Sequence, residues 1–149
     1  MTAPPPAPPS RPRVVNTAFW LLLAGAVLLM VGGLLAATLS FDTVRAATAS
    51  SVSDEQLNNY LSFHRGAGIG CVVTGGGLGF LVGRTRAGDP RFRRATVALG
   101  LAIVVLVGLM AVFAGIHLLS LLAILPIIVG TLMLTRPAAT AWFDGRGEQ

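Results

Sequence analysis

The chain has 149 residues, of which 54% are hydrophobic and only 11% charged, with a mean hydropathy of +0.76. A soluble domain carries about 25% charged residues, so too little polar surface is available here to cover a water-soluble globule. The net charge of +5 comes from Arg without any Lys, and those Arg flank apolar runs, which speaks for membrane orientation and against a nucleic-acid interface.

Residues 1–15, opening MTAPPPAPPSRPR, are rich in proline and poor in apolar bulk, which predicts a disordered cytoplasmic tail of partly polyproline-II character. A first span follows at about residues 17–39, free of charge and long enough to cross ~30 Å of hydrocarbon. Phe19 and Trp20 stand at its start, where an interfacial aromatic belt would place them. Residues 40–65 form the one substantial polar connection. Within it, Ser53 and Gln56 have the spacing of a capping box, and Leu57, Tyr60, Leu61 and His64 share a helical face. This predicts a short amphipathic helix in the first outer loop, lying on the membrane or leading into the second span. Asp42 and Arg45 have the spacing of an i,i+3 pair.

The second span is expected at about residues 66–83, the third at 95–116 and the fourth at 118–135. The third and fourth form one apolar run too long for a single crossing, so the polar break at His117 and Ser120 is read as a hairpin tip. Pro126 removes one backbone donor and predicts a kink in the fourth span. Residues 137–149 are expected to be a cytoplasmic tail.

Orientation follows from the arginines. With the N-terminus inside, Arg11 and Arg13, the loop residues Arg84, Arg86, Arg91, Arg93 and Arg94, and Arg136 and Arg146 are all cytoplasmic, leaving only Arg45 and Arg65 outside. Both termini are therefore expected in the cytoplasm of a multi-pass plasma-membrane protein.

The second span contains VVTGGGLGFLVGR, residues 72–84, which echoes the dinucleotide-binding turn of a short-chain dehydrogenase. Leu81 stands where the last glycine belongs, an Arg-rich loop and another span follow in place of the acidic residue, and no Lys exists for a Tyr-x-x-x-Lys pair. Helix packing explains the glycines instead. Cys71, Gly75, Gly79 and Gly83 are spaced by four, and small residues on one face let another helix approach closely in lipid. That face either packs inside the bundle or docks another subunit.

No span carries a charge at its centre, which argues against a proton-coupled pump while leaving an apolar or lipid solute open. Cys71, the single cysteine, excludes an intramolecular disulfide and a multi-cysteine metal site. His64 and His117 are both expected near the outer surface, where they could approach each other, but two residues half a chain apart make no metal or haem motif. No catalytic, cofactor-binding or metal residue is assigned.

The proline-rich tail, the run RPRVVNTAFWLLLAGAVLLMVGGLL and the DTVRA after it resemble the small four-span membrane proteins of mycobacteria and related actinobacteria. The similarity is clearest over about the first 45 residues, and it implies an integral plasma-membrane protein of unassigned activity.

The reading is an all-α, four-helix transmembrane domain over residues 16–136, without enzymatic activity or cofactor. It is expected to serve as a subunit or scaffold of a cell-envelope membrane complex, with the lipid bilayer and either other membrane subunits or a second copy as partners. The alternative is a small transporter or channel component for a lipid or hydrophobic solute.

Overall fold

The computed structural model describes residues 11–113 and 117–147, the last two without their side chains. The fold is all-α. Its helices are α1 (Arg13–Ala37), α2 (Phe41–Ala47), α3 (Asp54–Thr85), α4 (Pro90–Phe113), α5 (Leu118–Leu134) and α6 (Pro137–Gly147). Three of them, α1, α3 and α4, are long and apolar enough to cross a membrane. The 17-residue α5 joins this set only if it counts with α6 as one broken span, across a 60° bend. Large apolar side chains such as Val73, Val105, Leu125 and Leu132 face outward, the inverse of a water-soluble surface.

The four long helices form a ring in which α1 and α4 sit on opposite corners and each packs against α3 and α5. Neighbours run antiparallel. Going up α1, Ala26 and Met30 meet Gly75, whereas Gly33 meets Gly68, lower in α3. The same reversal holds on the other side of α1, where Leu22 meets Gly130 and Gly32 meets Ser120. Two ends of the bundle can thus be named: a histidine end, holding the C-terminus of α1 and the start of α5, and an arginine end, holding the α3–α4 turn.

The packing has one recurring rhythm. Buried positions on α3 are Leu57, Leu61, His64, Gly68, Cys71, Gly75, Leu78, Val82 and Thr85, steps of four and three in strict alternation. On α1 the same rhythm runs through Val15, Ala18, Leu22, Gly25, Leu29, Gly32 and Ala36. A mean step of 3.5 is the seam of left-handed helix packing. Small residues bring the backbones together along it: a Cβ placed on Gly33 would lie 2.6 Å from the carbonyl oxygen of Gly68, and one on Gly68 would collide with the Gly33 carbonyl in turn.

Several expectations are corrected. Of its two alternatives, the amphipathic stretch leads into the second span and does not form a separate helix. Ser53 Oγ accepts from the Gln56 N–H and the Gln56 side chain accepts from the Ser53 N–H, each at 3.2 Å, so the capping box starts a helix. That helix then continues without a break into the apolar span, because no proline interrupts Asp54–Thr85 and glycines within it only weaken it. Asp42 does not pair with Arg45. Arg45 instead reaches across the loop to the Val52 carbonyl (2.6 Å) and to Asp54 (3.5 Å), since α2 is a single short helix whose residues turn toward α3. α5 runs through Pro126 as one helix, and the sharp bend falls between Leu134 and Pro137. The third span begins earlier than expected, at Pro90, and its expected end at 114–116 lies outside the described residues. Residues 137–147, within the expected tail, form a helix with Ala139, Trp142 and Phe143 buried.

The seam makes a matched prediction. Gly68→Leu should lower the stability of the detergent-solubilised protein by about 3 kcal/mol. Gly66→Leu, two positions away with open space at its Cα, should leave thermal unfolding unchanged or slightly raised.

Candidate functional site

The arginine end is built on aromatic rings as much as on charge. Its turn closes through Gly88, the one residue with a positive φ (96°) among the described residues, a conformation other L-residues adopt only with strain. Arg84 lies between Phe80 and Phe92, 5.5 and 5.9 Å from the ring centres, and Arg86 covers Phe19 at 4.5 Å. Arg93 donates to the Leu134 carbonyl (3.1 Å) and to Thr140 Oγ1 (3.0 Å) while lying 5.6 Å from the Phe143 ring centre, so it ties α4 to α5 and α6. Arg91 and Arg94 are exposed. Among the described residues none of these five arginines forms an ion pair, the only such pair being Arg45–Asp54. Beneath the turn, Thr85 and Thr96 share a buried hydrogen bond of 2.8 Å between α3 and α4. Thr85 spends its proton on the Leu81 carbonyl, so Thr96 is the donor between the two hydroxyls.

The four small residues singled out in the second span separate into two pairs. Cys71 and Gly75 lie in the α1 seam: a Cβ on Gly33 would touch Cys71, and one on Gly75 would touch Met30 and the Ala26 carbonyl. Gly79 and Gly83 meet nothing within 4 Å. The reason is angular. A step of four advances about 40° beyond a full turn, so three such steps carry Gly83 about 120° from Cys71, while the seam passes to Leu78, Val82 and Thr85.

At the histidine end, Arg65 donates from Nε and Nη2 to the Leu39 carbonyl (3.2 and 2.8 Å), fastening the end of α1 to α3. Beside this contact, His64 and His117 line the same small cavity, together with Gly33, Ala36, Cys71 and Ser120. The cavity volume is about 10 Å³, enough for roughly one water-sized group. His64 is 7% exposed and stacks on Tyr60, with ring centres 3.9 Å apart. Its Nδ1 sits 3.0 Å from the Tyr60 carbonyl. His117 caps α5, its Nδ1 accepting from the Leu119 N–H at 3.4 Å. Beside this chamber, a larger crevice of about 120 Å³ opens between α3 and α4, lined by Ala67, Gly70, Thr74, Ile103, Leu106 and Val107 and sharing Ala67, Cys71 and Met110 with the chamber.

The sequence placed both histidines toward one end and grouped Ser120 with His117 as a polar break, but gave no sign that the three would line one cavity. Ser120 enters through α1, where Gly32 leaves room for its hydroxyl. Among the described residues no three His, Cys, Asp or Glu side chains are grouped to hold a metal ion. Comparison of the chain with protein-family models, with curated proteins and with solved structures finds no match.

Arg93→Ala should detach α6 from the bundle. The expected result is a loss of about 2 kcal/mol in detergent stability and faster proteolysis between Leu134 and Trp142, with the rest of the chain protected as before.

Proposed function

We infer that this protein is a four-span plasma-membrane subunit that scaffolds a cell-envelope complex, with both termini in the cytoplasm. The observation that carries the reading is the contrast between a closed interior and an unmatched exterior. Inside, the buried polar groups are one imidazole and a few hydroxyls, His64, Thr85, Thr96, Ser120 and Thr131, and no charged side chain that could relay ions is among them. Outside, Gly76, Gly79 and Gly83 leave α3 open to a close neighbour. The closing partner is a helix of another membrane subunit or of a second copy. In this reading α5 with α6 supplies the fourth crossing, and the five loop arginines face the cytoplasmic leaflet, where their freedom from carboxylates suits anionic headgroups.

A second reading, movement of a lipid or hydrophobic solute, is favoured by the crevice that opens sideways between α3 and α4. Reconstitution of the purified protein alone distinguishes the two: a transporter moves solute by itself, whereas a scaffold does not.

The topology has its own test. A reporter active only outside the cytoplasm should work when inserted near Ser50 and fail near Gly88 or at the C-terminus; activity at Gly88 overturns the orientation. For the scaffold, Gly79→Leu is the informative change. Since Gly79 touches nothing in this chain, its replacement should leave thermal stability within about 0.5 kcal/mol. Partners that co-purify in mild detergent with the unaltered protein should be lost, and their retention counts against docking at this face.

A further inference from the structure

We propose that the α3–α4 crevice and the histidine chamber behind it bind a single-chain, uncharged amphiphile by its hydroxyl head. The inference goes beyond the scaffold reading and does not rest on it.

Proton positions in the chamber define the head group. A carbonyl oxygen only accepts, so the 3.0 Å contact to Tyr60 O requires the proton on Nδ1 of His64. Nε2 of the neutral ring is then an acceptor. His117 is the mirror case: its Nδ1 accepts from the Leu119 N–H, which leaves the proton on Nε2 as a donor. Ser120, 1% exposed, lines the same chamber. Among the described residues, neither Nε2 nor the Ser120 hydroxyl has a protein hydrogen-bond partner. A buried imidazole left in this state is costly, and a group that both donates and accepts satisfies the pair. A hydroxyl does so in one step, donating to His64 and accepting from His117. An ether or ester carbonyl only accepts and leaves His64 unmet. A carboxylate also only accepts, and no Arg lines the chamber to offset its charge.

A lone water would meet the same two nitrogens. The crevice is what argues for a chain. Its volume of about 120 Å³ is some twelve times that of the chamber, its walls are apolar apart from Thr74 and Cys71, and it opens toward the lipid-facing side at exposed Gly70 and Leu106. Ala67 and Gly70 present almost no side chain where the neighbouring α4 presents Leu106 and Met110. A volume of about 120 Å³ suits part of one hydrocarbon chain better than two side by side.

The test uses the full-length protein in nanodiscs with a diazirine-bearing hexadecanol. Crosslinks should map to residues 64–74 of α3 and 103–110 of α4. Unlabelled hexadecanol should compete about tenfold better than hexadecyl methyl ether, which has the same chain but no proton to give. Dipalmitoylglycerol, with the same head type on two chains, should compete no better than the ether. His64→Phe keeps a ring against Tyr60 and should abolish the preference for alcohol over ether. Equal competition by alcohol and ether on the unaltered protein overturns the proposal, as does label spread evenly over all helices, the pattern a chamber holding only water would give. Both decisive readings are taken on the unaltered chain, so they stand whether or not the variant folds.

Discussion

Everything in this structure depends on how closely α1 can approach its two neighbours. In an apolar solvent, side chains gain nothing by hiding from their surroundings, so helices associate through dispersion contacts and need surfaces that let backbones meet. α1 supplies such surfaces on two sides. Gly33 lies against Gly68 of α3, and Gly25 and Gly32 lie against Ile127 and Ser120 of α5. Among the long helices α4 packs against α3 and α5 and not against α1, so its position is inherited from theirs. A bulkier α1 would therefore displace the whole ring, not a single contact.

Polar groups are placed where this close packing leaves them a partner. The Thr85–Thr96 hydrogen bond crosses from α3 to α4 at the arginine end, where the helices are joined by the short turn at Gly88. Arg93 satisfies a carbonyl that the end of α5 leaves exposed, which is the ordinary need of a helix C-terminus. Among the described residues the opposite end of the α3–α4 pair has no such tie, and the two helices part there to form the crevice. One helix pair is thus closed at one end by hydrogen bonds and open at the other.

The all-α architecture was legible because a charge-free apolar run has few other solutions, and the start of α3 was legible because Ser53 and Gln56 carry a local signal with a known geometry. What the sequence concealed was register. A step of four between small residues is conspicuous in a glycine-rich stretch, yet the seam follows steps of four and three, and at Leu78 and Val82 it passes through large residues that the search for glycine overlooks. The amphipathic pattern likewise identified Leu57 and Leu61 as one face but held nothing about whether the helix stopped before Gly66. α6 was hidden for another reason: its buried residues, Ala139, Trp142 and Phe143, gain their burial only from a bundle end that must form first. The histidine chamber is a tertiary juxtaposition of four helices, α1, α3, α4 and α5, and no local spacing foretells it.

The unbroken course of α3 has a mechanical meaning. Its 32 residues make a rod about 48 Å long, against a hydrocarbon layer of about 30 Å. The surplus is braced, with Leu57 and Leu61 buried, α2 packed against it and Arg45 reaching the Val52 carbonyl and Asp54 at its start. The polar residues around Asp54 and Asn58 are thus joined by one unbroken helix to the Gly33–Gly68 contact, where there is no room even for a Cβ.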